Sequence, residues 1–385
     1  MMANTQPSRP AISGFAAIIA TGACAAMIFN TLPLFLGVAA DEYQLGSQGA
    51  GWLGTLYLGG FGLSSVAAAW LIARVNRPRL GLVLFLSSAL LLAVASGTDS
   101  RLLFTLLLVG VGFSFGALYS LSFVITGERP NPTRAFGLKL LGEVLLGAAV
   151  LAVVPVFILP HYGLGGMLAV FAALAVCGTL SAPYIASNAP ARANAPGLGG
   201  GGRLPRRAIA GLAALFAFTI GQSAVWSFAE RRASFEGIDS EAIGFALSAA
   251  AVAGGLGSLA AAWLSNRLGQ LGPLAATALI HAASLILFFA GRDPWLFGAA
   301  ASLFMLAWLF ALPYMASIIS AADSSGRATS LVAACFAFGS MAGPALAGQL
   351  VARGSFATLY VFAAIVALAA YASFCRLAVP ASARR

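Results

Sequence analysis

Lys139 and Glu143 are the only charged residues between Arg134 and Arg192. They stand four apart, so on a helix they share one face. Glu143 is nine residues past Arg134, about 13 Å along a helix axis. A carboxyl group that deep in an apolar segment can exchange a proton, with the ammonium of Lys139 offsetting or restoring its charge. Lys139 could also bind an anionic solute while Glu143 is protonated. A fixed intrahelical ion pair that neutralises both charges is the alternative reading. A second group of polar residues is Asn30-Thr31 just before Pro33, where the proline frees backbone groups that can meet a ligand.

The elements that must hold these residues follow from composition. Hydrophobic residues make up 60% of the 385-residue chain and charged residues 8%. A soluble domain carries about 25% charged residues, so this chain has too little polar surface to face water. Charge-free windows recur at 10–40, 102–127, 144–191, 208–229, 242–266, 268–291, 294–322, 328–352 and 354–375. Crossing a bilayer takes about 20 apolar residues, and the backbone must satisfy itself as helix. Alternating membrane-barrel strands are absent. Twelve spans are expected, near 12–38, 50–72, 80–97, 102–126, 134–159, 164–186, 208–229, 242–266, 272–290, 295–320, 327–351 and 355–378. The first is too long for a cleaved signal. With the N-terminus in the cytoplasm, fifteen of the 21 Lys and Arg residues fall on that side. The positive-inside rule then puts both termini there, in the inner (plasma) membrane. That distribution accounts for the net charge of +10 without a nucleic-acid partner.

Cys24, Cys177, Cys335 and Cys375 have no metal-ligand or redox spacing and read as packing residues. No phosphate loop, metal-protease motif or catalytic triad pattern is present, so an enzyme, a bound cofactor and a metal are not expected. His281 falls on the ninth span and reads as structural.

The chain also repeats itself. GLSSVAAAWLIAR at 62–74 matches GLGSLAAAWLSNR at 255–267 in nine of thirteen positions, at an offset of 193. Gly51 and Gly244, and Arg134-Ala135 and Arg327-Ala328, keep the same offset. Between the copies lies SNAPARANAPGLGGGGRLPRR, a Pro- and Gly-rich linker at 187–207. Two six-helix halves are expected, 1–186 and 208–385, as parallel repeats about an axis along the membrane normal.

Twelve spans, a basic central loop and an arginine after spans two and eight resemble the major facilitator superfamily of secondary transporters. The family's loop motif, Gly-x-x-x-Asp-Arg-x-Gly-Arg, is partly kept. Its arginine is Arg74 in one copy and Arg267 in the other; its aspartate is Ala73 and Asn266. The resemblance makes Arg74, Arg267 and Asn266 latch candidates on the cytoplasmic side. The family's arginine in span four is Leu106 here, so its coupling role does not carry over. A glycine-proline run, Gly339 to Gly343-Pro344 and Gly348, sits on span eleven and reads as helix packing and a hinge. In the resembled fold spans one, four, seven and ten line a central cavity. That makes Asn30, Tyr119, Gln222, Trp226, Trp308 and Tyr314 substrate-cavity candidates. Glu230, beside Arg231 and Arg232, reads as part of a solvated cluster near the outer surface.

The expected protein is an all-α membrane protein of two six-helix bundles that moves a small organic solute by alternating access, as a monomer and with protons as a possible partner of Glu143 and Lys139. A scaffold or sensor that kept the fold without transport is the alternative.

Overall fold

In a computed structural model of the chain, the structure describes residues 11–72, 74–127, 132–185, 204–264, 269–290, 293–323 and 327–378. The described helices are α1 (Ala11–Asn30), α2 (Leu32–Glu42), α3 (Ser47–Leu71), α4 (Arg77–Ala95), α5 (Arg101–Gly127), α6 (Pro132–Val153), α7 (Leu159–Thr179), α8 (Arg206–Ser227), α9 (Ala229–Phe235), α10 (Ser240–Leu264), α11 (Leu271–Ala290), α12 (Pro294–Ala321), α13 (Arg327–Arg353) and α14 (Phe356–Ala378). Two spans are compound. α1 and α2 form the first, bent by 52° at Thr31; α8 and α9 form the seventh, broken at Phe228. Counting each of these pairs as one, the described helices make twelve elements, six before residues 186–203 and six after them.

The bend at Thr31 has a local cause. Pro33 cannot continue the backbone ladder of α1. Thr31 donates to the carbonyl of Met27 through both its backbone N–H, at 3.0 Å, and its hydroxyl, at 2.8 Å. The fifth and sixth spans run on through a π-turn at Val154–Ile158, which holds Pro155. The chain turns between them at Gly163, whose φ of 50° suits a residue without Cβ. The linker expected at 187–207 lies outside the described residues up to Arg203, and its last two residues already open α8.

Apolar side chains face outward as well as inward. On α4, Leu82, Leu86 and Leu90 recur every four residues and are 40%, 51% and 66% exposed. Such a stripe is stable in hydrocarbon and not in water. Inside each bundle, small residues bring backbones together. A Cβ on Gly116 of α5 would stand 2.0 Å from the carbonyl oxygen of Phe61 on α3. Close approach of this kind supplies the dispersion contact that drives helix association in lipid.

The two bundles meet through symmetry-related pairs. Gly51 of α3 lies on the carbonyl of Pro344 in α13, and Gly244 of α10 lies on the carbonyl of Leu151 in α6. Gly62 faces Ala337, and Gly255 faces Val144. Thr55 donates to the carbonyl of Met341 at 2.7 Å, and Ser248 donates to that of Ala148 at 2.9 Å. Members of each couple differ by 193 in both partners, for instance 248 − 55 and 341 − 148. The sequence repeat is thus written into the interface as a pseudo-twofold contact.

Candidate functional site

α6 carries Lys139 and Glu143 against α1 and α5. Both side chains are almost fully buried, at 2% and 3% exposure. Lys139 Nζ donates to Glu143 Oε1. The phenol of Tyr119 on α5 donates to Glu143 Oε2 over 3.5 Å, a long bond. The ammonium also stands 4.2 Å from the ring centres of both Tyr119 and Phe123. Aromatic faces are negative and favour a desolvated cation there. Asn30, the last residue of α1, donates through Nδ2 to the backbone carbonyl of Glu143 at 3.1 Å. The pair fits beneath α1 because residue 22 is glycine: a Cβ there would lie 2.8 Å from Glu143 Oε1. The site is a neutral, water-poor ion pair with one titratable hydroxyl beside it. A proton delivered to Glu143 would remove the counter-charge of Lys139, with the two rings still beside its ammonium.

From Tyr119 a row of rings crosses the molecule. Phe61 of α3 follows at 5.4 Å, Phe29 of α1 at 6.1 Å, Phe336 of α13 at 6.3 Å and Trp308 of α12 at 6.4 Å. Five helices of both bundles contribute one ring each. Phe29, Phe61, Tyr119 and Phe336 are half-buried.

At the end away from the termini the bundles close. Gly37 of α2 receives the carboxyl of Glu230 from α9; a Cβ on Gly37 would sit 1.7 Å from Glu230 Oε2. Glu230 is 6% exposed, and Oε2 has no hydrogen-bond partner. The expectation of a solvated cluster is corrected here. Arg231 reaches Asp41 across the bundles at 3.7 Å, whereas Arg232 turns back to Glu236, the residue that caps α9. The seal exists because Gly37 leaves a gap of carboxyl size.

No family model matches the sequence, and no curated protein matches it. Solved structures do match. The nucleoside transporter NupG superposes with a TM-score of 0.73 at 14% identity, covering 95% of this chain and 98% of that one. A mutant form of it gives 0.75 at 13% identity over 94% and 98%. A bacterial homologue of the human lysosomal transporter Spinster, in an inward-facing and unoccupied conformation, gives 0.65 at 14% identity over 95% and 96%. The chain shares the fold of these solved transporters.

Within this fold, the remaining sequence candidates separate. Lys139, Glu143, Tyr119 and Asn30 form one cluster. Trp308 joins it through the ring row. Gln222, Trp226 and Tyr314 are buried in the second bundle, and no described hydrogen bond or ring contact links them to the ion pair. Both amide atoms of Gln222, the indole nitrogen of Trp308 and the hydroxyl of Tyr314 are buried without partners. Of the latch candidates, Arg74 has an exposed side chain. Arg77 makes the helix-end contact instead, Nε donating to the carbonyl of Ile72 at 3.4 Å. Asn266 and Arg267 lie outside the described residues. His281 packs among Phe218, Phe304 and Tyr371, its ring nitrogens unpartnered.

Sequence reading missed Phe29, Phe61 and Phe336, which carry no local mark. It also missed the notch at Pro344. That proline leaves the carbonyl of Ser340 without a backbone donor, and Ser223 of α8 supplies one at 2.8 Å. One residue on, Thr55 wedges into the ladder: its oxygen accepts from the Ala345 N–H at 3.0 Å while its hydroxyl donates to Met341.

Proposed function

We propose that the chain is a secondary active transporter that carries a small organic solute across the inner membrane by alternating access. The observation that carries this reading is the sealed end. The cross-bundle hydrogen bonds and ion pair lie in the halves of the spans away from the termini, around an aromatic row shared by both bundles. Two rigid halves, 1–186 and 208–385, rock about that row and reopen the sealed end, with 187–207 as a slack connection. The positive-inside distribution puts both termini in the cytoplasm, so the sealed end is the outer one and the state is inward-facing. The likeness to an inward-facing, unoccupied transporter supports this.

The ring row favours a solute with a planar ring, since ring faces stack on aromatic faces. Likeness to a nucleoside transporter makes nucleosides the first solutes to test. Glu143 exchanges a proton during the cycle, and Lys139 holds the charge balance. The protein works as a monomer in the bilayer.

The test is uptake into proteoliposomes after a thermal-shift panel of nucleosides, carboxylates and lipophilic cations. Saturable counterflow of a ring-bearing solute, raised by an imposed pH gradient, is the expected result. Binding without counterflow would make the protein a scaffold or sensor and sink the transport reading. Flux without saturation would make it a channel.

A further inference from the structure

We infer that Glu230 is a second proton-binding site, loaded as the sealed end closes and emptied as it opens. Its carboxyl is 6% exposed and fills the gap left by Gly37 on the opposite bundle. Among the described residues, neither a hydrogen bond nor an ion pair reaches it. This sets it apart from Glu143, which is buried with a lysine.

The cations beside Glu230 are committed elsewhere. Arg231 stands 3.7 Å from Asp41, and Arg232 pairs with Glu236. Asp41 is one turn beyond Gly37 on the same face of α2, so a carboxylate already stands near the gap and a second would be repelled. α8, α10 and α12 also pack on α9. The near half of α8 carries no charge, while α10 and α12 bring Glu241 and Asp293, both acidic and exposed. The carboxylate of Asp293 is taken up in capping α12. An ionised Glu230 would therefore lose its water and gain no counter-charge. Burying an unpaired charge costs far more than burying the neutral acid. Closure on Gly37 calls for the proton.

The position of the contact makes it a switch. Gly37 and Glu230 are 193 apart, the offset that relates the two halves. Each holds the other's place in its own half, so their contact falls on the pseudo-twofold axis, at the centre of the seal. It is made when the bundles meet and lost when they part. Once parted, the carboxyl faces water, where a glutamate is ionised above about pH 4.3. The sealed form then holds one proton more than the open form. Raising the pH above that value favours opening, by up to about tenfold in the open-to-sealed ratio per unit of pH. The inference rests on the alternating opening proposed above, but not on which solute is carried or on flux.

The experiment is pulsed electron–electron resonance on the purified full chain, without solute and without the native cysteines. Spin labels go on Ser100→Cys, just before α5, and Ser240→Cys, at the start of α10, both exposed. With Glu230 present, the ratio of the longer to the shorter distance should rise at least tenfold from pH 5 to pH 9. Glu230→Gln has the same shape and no proton to lose, and should keep the shorter distance throughout. Asp41→Asn removes the neighbouring exposed carboxylate and should keep the pH response. A ratio that does not change with pH while Glu230 is present overturns the inference, as does a response kept in Glu230→Gln or lost in Asp41→Asn. The titrations with Glu230 present decide the matter even where Glu230→Gln fails to fold. A pH-dependent seal in a protein without counterflow would leave this inference standing and sink transport alone.

Discussion

Lys139 and Glu143 hold opposite charges in a place where neither is stable alone. Removing one partner of a buried pair typically costs about 3–5 kcal/mol, because the other is left charged and unpaired. Lys139→Met should therefore lower the melting temperature markedly, while Lys139→Met with Glu143→Gln should recover most of the loss. Thermal melts of the single and double variants check this; an uncoupled pair would give additive losses. Glu143→Gln alone should leave counterflow intact and cut gradient-driven accumulation at least tenfold, about 1.4 kcal/mol of coupling. Gradient dependence like that of the wild type would place the coupling proton elsewhere. The pair was legible from its spacing, because i and i+4 share a face in any helix. Its surroundings were not: Tyr119 and Asn30 were named as cavity residues, and only packing of α1 and α5 on α6 turned them toward Glu143.

At the scale of the helix, breaks decide what can move. Thr31 and Phe228 separate α2 and α9 from the longer helices behind them, so the seal consists of two short pieces. Gly37→Val forces side-chain bulk into the space taken by the Glu230 carboxyl. The expected outcome is a reopened sealed end, read as faster maleimide labelling of a cysteine placed at Ala40, 1% exposed and one turn from Gly37, in a background without the native cysteines. Unchanged labelling would mean that the seal does not rest on this contact. Ser223→Ala should cost about 1–3 kcal/mol, since the Ser340 carbonyl freed by Pro344 loses its donor. The break at Thr31 could be read from Asn30-Thr31 and Pro33, a local signal. The burial of Glu230 could not, because charged neighbours in sequence suggest solvent while the burying residue lies in the other half of the chain. The offset is suggestive in hindsight: 230 − 37 is the same 193 that separates the two Ala-Ala-Ala-Trp-Leu runs.

For the whole molecule, duplication explains why so much of the fold was visible in one sequence. Span count follows from hydropathy, and the repeat reveals two bundles in the same orientation. The ring row was invisible, because each of its five rings sits on a different helix and stacking is set by how bundles dock. If the sealed end must reopen in each cycle, linking the bundles there stops transport. A bis-maleimide bridge between Asp41→Cys and Arg231→Cys should abolish counterflow, while each single variant treated alike keeps it. Full activity of the bridged protein would rule out rocking about the ring row. The interface symmetry fails at the proline notch, as it does at the Asp41–Arg231 pair, and the notch shapes the energetics of opening. Thr55 sits between the Ala345 N–H and the Met341 carbonyl, two groups that would otherwise bond each other four residues apart. When the first bundle swings away, those two groups can close on one another, and the threonine hydroxyl can turn back to its own helix, as Thr21, Thr31 and Thr126 do. The notch is a socket that heals when its plug is drawn, so no polar group is stranded in either state. Docking and undocking of α3 then differ little in hydrogen bonding, which leaves the direction of the swing to solute and proton.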